Sequence, residues 1–327
     1  MNITVKQIEY KSTNGLNTIF GWLYIPAGEM RGIVQICHGM SEHMGRYHDF
    51  MRFLAQHGYV ACGVDHIGHG RSSYENKFGW FGEKDGWRTL IEDQYKFHKI
   101  VHSEVPFCER SVLLGHSMGS FVTRLYAMKY PSTLSGMILS GTARSGLKVE
   151  LAQRAAARSV RKYGPGAIDR DLNRMVFGPF LKGFQPWRTK SDWLSRDTAW
   201  VDQYVSDERC GFLFTSAGFY DLFTLVSRSN DRSCFEGARK ELPILLFAGT
   251  MDPVGEYGKG PSQVYERYRK AGVRDVELKL YEGGRHEMLG EVNRVQVYGD
   301  LLGWLNAHLP MPEPRKEEGF PEDAEFE

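Results

Sequence analysis

Three residues far apart in the chain have the types and settings that acyl transfer requires: Ser117, Asp252 and His286. Ser117 is the centre of Gly115-His116-Ser117-Met118-Gly119, a G-x-S-x-G pattern that follows the apolar run SVLLGHS and precedes FVTRLYAMKYP, which has helical spacing. In a chain with 36 glycines the pattern alone is weak; its place between a strand and a helix is what gives it meaning. At so sharp a turn, side chains at 115 and 119 would collide with neighbouring backbone, and the serine is held strained so that its hydroxyl stands clear of the sheet. The helix that follows points its N-terminus at whatever the hydroxyl attacks, which favours developing negative charge. A serine hydroxyl is a poor nucleophile at neutral pH, so it needs a general base, and the base needs a group to hold its tautomer. PILLFAGTMDP delivers Asp252 just past one later strand, and VELKLYEGGRHE delivers His286 just past the next. Glu256 competes with Asp252 as the orienting acid, and Asp252-Pro253 also reads as a simple turn.

The same chemistry requires two backbone N–H groups for the oxyanion, each typically worth ~3 kcal/mol of barrier. One is expected from Met118, directly after the nucleophile, and the other from Met40 in the turn His38-Gly39-Met40 that follows an earlier strand. His38 and Gly39 then have structural roles, and His116 is expected to support the site from inside the serine motif. His38, His43, His48, His66 and His69 lack an H-E-x-x-H or comparable carboxylate spacing, so no metal and no cofactor is expected.

Positioning such residues calls for a parallel sheet. The runs 32–39, 59–65, 111–117, 135–142, 243–250 and 276–283 are short, mostly rich in Val, Ile and Leu, and end in turn residues, as do strands buried on both faces. Amphipathic stretches lie between them. HDFMRFLAQHG puts Phe50, Phe53 and Leu54 on one face with Gly58 as a stop, and a last helix places Val295, Tyr298, Leu302 and Leu305 on one stripe. The fold class is therefore α/β, a mostly parallel doubly wound sheet. The alternation breaks from 143 to 236, which divides the chain into core (1–142), an inserted helical cap (143–236), core again (237–309) and an acidic, proline-bearing tail (310–327) expected to be disordered. Within the cap, KVELAQRAAARSVRKYG reads as a helix, MVFGPFLKGFQPW as an irregular loop, and CGFLFTSAGFYDLF as a second apolar helix.

Composition narrows the function classes. With 42% hydrophobic residues over 327 the chain can build a sizeable core, and 41 Lys+Arg against 40 Asp+Glu leave a formal charge of +1, so no overall field favours nucleic acid. The start, MNITVKQIEYKS, alternates like a strand, no apolar run reaches the roughly 18 residues of a membrane helix, and a cytoplasmic location is expected. Five scattered cysteines without C-x-x-C are expected to be buried free thiols.

CHGMSEHMGRY, DHIGHGRS, GHSMGS, GTMDPV and GGRHEML stand in the order and near the spacings of the monoacylglycerol lipase and lysophospholipase branch of the α/β-hydrolases, the serine aminopeptidase S33-like hydrolases, and the sequence resembles that branch over most of the core. The resemblance implies a Ser117, Asp252, His286 triad and Met40 and Met118 as oxyanion donors. It also implies that Glu42, His43 and Arg46 brace the oxyanion loop. A serine hydrolase of carboxylic esters is expected, with a small lipid ester such as a monoacylglycerol as substrate. The likeness thins in the cap. There Met175, Val176, Phe177, Phe180, Phe184, Phe212 and Phe214 are either an acyl pocket or the glue between cap and core. Lys148, Arg154, Arg158, Arg161 and Lys162 are either a solvated face or a peripheral contact with an anionic lipid surface. An aminopeptidase or amide hydrolase would need a cap carboxylate, Asp202, Asp207 or Glu208, for a free amine. Carbon–carbon bond hydrolysis or perhydrolysis would use the same triad, and epoxide-hydrolase chemistry is disfavoured by a serine at the elbow. A binding module on a dead hydrolase scaffold is the non-enzyme alternative, and oligomeric state is not set by these patterns.

Overall fold

Runs of Val, Ile and Leu too short for helices become the interior strands of one eight-stranded sheet. The structure, a computed structural model, describes residues 2–73, 75 and 77–311. The chain opens with β1 (Ile3–Lys11), β2 (Thr18–Pro26), β3 (Gly32–Cys37), α1 (His48–Gln56), β4 (Tyr59–Val64), α2 (Gly86–Glu104), β5 (Ser111–His116), α3 (Met118–Lys129) and β6 (Gly136–Ser140). A helical stretch follows: α4 (Leu147–Tyr163), α5 (Arg170–Phe177), α6 (Thr198–Ser206), α7 (Ser216–Ser229) and α8 (Arg232–Glu236). The chain then returns to the sheet with β7 (Ile244–Gly249), α9 (Lys259–Lys270), β8 (Val276–Tyr281) and α10 (Arg294–His308).

The strand order is β1-β2-β4-β3-β5-β6-β7-β8, with β2 antiparallel to both neighbours and every other pair parallel. The order turns back between β3 and β5, so the loops leaving their C-terminal ends diverge and open a crevice, where doubly wound folds place their sites. Adjacent residues feed opposite faces: Leu113 joins the cluster with α2, α3 and α7, while Val112 and Leu114 join the one with α1 and α10. Every residue of β3, β4, β5, β6 and β7 is buried.

Several sequence expectations need correction. β2 was not anticipated; its Ile19, Gly21 and Leu23 alternate inward and pair with β1 and β4. β8 closes the sheet as an edge, so Glu277 and Leu280 face outward instead of being buried on both sides. The stripe on α10 is offset: Val297, Leu301, Trp304 and Leu305 are buried, whereas Val295 is 81% exposed. The helix α1 buries Phe50 and Leu54 as expected and ends at Gly58, whose φ of 85° suits a residue without a Cβ. The stretch 175–187 is not one irregular loop, because its start completes α5 and a 3-10 turn spans Gly178–Gly183. The second apolar helix begins at Ser216 rather than Cys210, where Thr215 accepts the Gly218 N–H through its side chain and stops extension backwards.

The helical stretch shares the core. Phe214, Phe219 and Leu225 are fully buried in the same cluster as Leu113 and Met137 of the sheet, and Arg124, fully buried on α3, donates to the Ser229 carbonyl at the end of α7. All five cysteines are free and buried. No described helix is long and apolar enough to cross a membrane. Of the expected tail, residues 312–327 lie outside the described residues.

Candidate active site

Ser117 stands between β5 and α3 with φ 51° and ψ −117°, a conformation that costs a residue with a Cβ about 1–3 kcal/mol. Two features hold it there. Its N–H donates to Ser140 O at 2.9 Å, tying the turn to β6, and its own carbonyl accepts the Ser120 hydroxyl at 2.6 Å. The flanking glycines are required by contact rather than by backbone angle. A Cβ on Gly115 would run into Gly119 O and Thr123 Oγ1, and one on Gly119 into Cys37 O, with His38 O only 2.6 Å away. The start of α3 therefore lies directly against the end of β3.

His286 follows β8 and Asp252 follows β7, and the sheet brings them together: His286 Nδ1 lies 3.0 Å from Asp252 Oδ2, with both side chains buried. The contact is of ion-pair length without hydrogen-bond alignment. The imidazole packs against Gly141 and lies 4.7 Å, ring to ring, from His116, the neighbour of Ser117. Burial alone would lower the pKa of His286, but the Asp252 carboxylate, with help from Glu287 and Glu42, outweighs it and raises the value above the ordinary 6.5. Glu256 faces the other way, on Arg144 at 2.7 Å, so Asp252 is the acid that meets the histidine.

The turn 38–41 approaches the elbow closely, since a Cβ on Gly39 would lie 3.2 Å from Ser117 Cβ and 2.7 Å from Glu42 Oε1. The backbone is fixed on both sides of Met40: Gly39 N–H donates to Glu42 Oε1 at 2.5 Å, and Ser41 N–H donates to His69 Nε2 at 3.2 Å. Met118 is the first residue of α3, where helix N–H groups have no partner within the helix. His38 is a relay: its Nδ1 donates to Gly39 O at 2.8 Å and its Nε2 accepts His66 N–H at 2.9 Å. Burial holds these imidazoles neutral, lowering His38 well below its usual value, His66 to about 4, and His69 and His116 to about 3.

Behind the turn lies a buried charge cluster. Arg46 pairs with Glu42 at 2.8 Å and with both oxygens of Glu287 at 2.6 Å, and Trp200 Nε1 adds a bond to Glu287 at 2.5 Å. Burial would raise the Glu287 pKa, but the two-pronged Arg46 contact holds it well below the carboxylate range; Glu42, desolvated and facing Glu287, is raised. His43 bonds Asp207 across the cap seam at 2.8 Å.

The cap clasps this centre from above. Trp193 O accepts His286 N–H at 3.4 Å, Leu194 O accepts Glu287 N–H at 2.7 Å, and Arg196 meets the fully buried Glu291 at 2.9 Å. A row of partly buried rings runs from Phe177 to Phe180 (5.7 Å), to Trp193 (5.1 Å), to His286 (5.2 Å). The other cap aromatics are elsewhere: Phe184 packs under the Arg285 guanidinium, while Phe212, the fully buried Phe214 and Phe81 surround His69, and Phe78 stacks on Phe212. Met175 is exposed. Sequence reasoning missed Trp193, Glu287 and Trp200, which carry no local pattern, and gave no role to Asp65, His66 and His69, although DHIGHG could have flagged a polar hub.

Residues 28–293 match the family described as serine aminopeptidase, S33. The chain is 27% identical to the monoacylglycerol lipase of Mycolicibacterium smegmatis, covering 94% of this chain and 99% of that protein. It is 28% identical to the monoglyceride lipase of Homo sapiens, with 86% and 84% covered. Among solved structures, a thermostable carboxyl esterase from Bacillus coagulans in complex with glycerol superposes with a TM-score of 0.88 at 28% identity, covering 94% of this chain and 99% of that one. With the elbow, the strand order and this match over most of its length, the chain belongs to the serine aminopeptidase S33 family of α/β-hydrolases.

Proposed function

We propose that the protein hydrolyses carboxylic esters by two-step acyl transfer at Ser117, with small lipid esters such as monoacylglycerols as substrates. The observation that carries the reading is the buried His286–Asp252 contact of 3.0 Å beside a strained serine elbow. His286 takes the Ser117 proton as Oγ attacks the carbonyl, and Asp252 orients and balances the imidazolium. The Met40 and Met118 N–H groups receive the oxyanion. The proton then passes to the departing alcohol, and water, activated by the same histidine, releases the acid. No metal or cofactor is required by these steps. The monoacylglycerol and monoglyceride lipases among the relatives support the substrate class, and the row Phe177, Phe180, Trp193 offers apolar surface leading to His286 for an acyl chain. For the aminopeptidase reading, Asp202 is paired with Arg188 and Asp207 with His43, which leaves the exposed Glu208 as the carboxylate for a free amine. We place the protein in the cytoplasm, in keeping with its five buried thiols.

On the cap, Leu147, Leu151, Arg154, Arg158 and Arg161 fall on one exposed stripe of α4, which suits peripheral contact with an anionic lipid surface. The test is fatty-acid release from 1-monoacylglycerols of increasing chain length, in solution and on anionic vesicles, with Ser117→Ala as the blank. The expected outcome is a rate that rises with chain length and falls by several orders of magnitude in the mutant. Undiminished release by Ser117→Ala would overturn the mechanism. Activity confined to short esters would remove the lipid substrate, and indifference to vesicles the surface contact.

A further inference from the structure

At the seam between the oxyanion loop and the cap, His43, Asp207 and Cys210 bring an imidazole, a carboxylate and a thiol to one point. Their ligand atoms all lie within 4.8 Å of one another, with His43 and Cys210 buried and Asp207 partly exposed. The two cap residues share a turn after α6, where Cys210 N–H donates to Asp207 O at 2.9 Å. The next residue, Gly211, bonds Ser41 O at 2.9 Å, so the turn is fixed against the loop that carries His43. An open groove of about 580 Å³, lined by Gln203, Ser206, Asp207, Glu208 and Arg209, reaches Asp207 from solvent.

We propose that His43, Asp207 and Cys210 form a binding site for a thiophilic divalent cation of the zinc type, with a water from the groove as fourth ligand. One sulfur, one nitrogen and one carboxylate oxygen is a donor set that such ions accept, and thiolate is what selects them over magnesium or calcium. Ligands of a tetrahedral zinc sit about 3.3–3.8 Å apart, so the ion opens the His43–Asp207 pair from its 2.8 Å and draws in the farthest donor. Charge is matched as well. Carboxylate and thiolate neutralise the ion, and Arg46 next door is already balanced by Glu42 and Glu287. The Arg209 side chain, 47% exposed, meets Asp207 at 3.3 and 3.4 Å, and the Arg209 N–H donates to Asp207 Oδ1 at 2.8 Å.

The protons are accounted for. Nδ1 of His43 accepts the Gly45 N–H at 3.1 Å, so the imidazole proton sits on Nε2, facing Asp207. Binding moves that proton to Nδ1, breaks the Gly45 bond and frees the Nε2 lone pair for the ion. Cys210 loses its thiol proton to solvent, a net release of one proton per ion. Because binding releases a proton, affinity rises with pH. The bound ion joins the cap turn to the oxyanion loop three residues beyond Met40.

The test uses the full chain, stripped with a chelator and titrated with Cd²⁺ while the thiolate-to-cadmium charge-transfer absorption is followed; Zn²⁺ is then added as competitor. The expected result is one ion per chain, a charge-transfer band displaced by Zn²⁺, and a band that survives in Cys234→Ser but is lost in Cys210→Ser, with affinity down more than about 100-fold. Asp207→Asn, a change at a partly exposed side chain, keeps the fold and binds about 10-fold more weakly or worse, and it decides the matter if Cys210→Ser does not fold. No band on the wild-type chain, or a band and affinity that neither substitution alters, overturns the proposal. The second described cluster, Asp275, Glu277 and His308, has no thiol and cannot produce the band.

Discussion

Ser117 is held where few side chains go, and the constraint is steric at every neighbour: Gly115 and Gly119 are pressed against backbone, and Gly39 lies against the serine itself. Such strain persists only when its surroundings over-determine it, and here β5, β6 and the end of β3 all close on one turn. His286, the base of the proposed mechanism, is tuned in the opposite sense to its surroundings. Burial lowers His38, His66, His69 and His116 around it, yet His286 is raised, because Asp252 faces it directly. The acid limb of kcat/KM should therefore lie above the ordinary histidine value, with activity lost as pH falls through it and the imidazole charges. Replacing Asp252 with Asn leaves burial as the larger influence, so the limb should move down while kcat falls on the order of 10⁴-fold. A pH–rate profile of both proteins checks this, and a limb that Asp252→Asn leaves in place would assign the base to another residue.

At the scale of elements, the loop that carries Met40 is not held by its own sequence. It hangs from a relay of neutral histidines: His69 accepts from Ser41, His38 ties Gly39 O to the backbone of His66, and Asp65 accepts from Met44 and Arg71. Burial lowers His69 to about 3, whereas in the unfolded chain it titrates near 6.5. Between those values the unfolded state carries a proton that the native state refuses, so this residue's contribution to stability is present above about pH 6.5 and is lost as pH falls. His69→Gln removes that proton from the balance. Its stability should change with pH less steeply than that of the wild type, by up to about 1.4 kcal/mol per pH unit between roughly pH 6 and 4. Urea unfolding of both proteins at those two values measures the difference, and equal slopes would mean that His69 is charged in the native state.

On the scale of the whole molecule, cap and core are one hydrophobic object. Phe214, Phe219 and Leu225 belong to the cluster that packs one face of the sheet, and Arg196, Arg285 and the carbonyls of Trp193 and Leu194 fasten the cap to the loop of His286. Fully burying an apolar side chain of this size stabilises by about 1.5–3 kcal/mol, and these three alone approach the whole stability of a typical domain. A chain in which residues 145–233 are replaced by a short Gly/Ser linker should therefore lose cooperative unfolding and bind a hydrophobic dye. A sharp thermal transition in that chain would instead make the cap an accessory to a self-sufficient core.

The strained turn of Ser117 between strand and helix, and the strand ends after which Asp252 and His286 come to face each other, were legible in the sequence, because each depends on local backbone sterics or on strand ends that short apolar runs mark. So were five fully buried strands and the free, buried cysteines. What periodicity left ambiguous went wrong: α10 presents Val297 and Leu301 where an equally regular stripe offered Val295, and β2 was overlooked because Thr18–Pro26 interrupts its apolar alternation with aromatic and small residues. Tertiary structure alone decided the rest. The ring row splits the cap aromatics, sending Phe177 and Phe180 toward His286 and Phe212 and Phe214 onto His69. His43 meets Asp207 across 164 positions of sequence, and Arg46 meets Glu287 across 241. Local pattern reports which face of an element is buried; which distant residues share that burial is set by how the cap docks, a packing outcome that no stretch of chain encodes by itself.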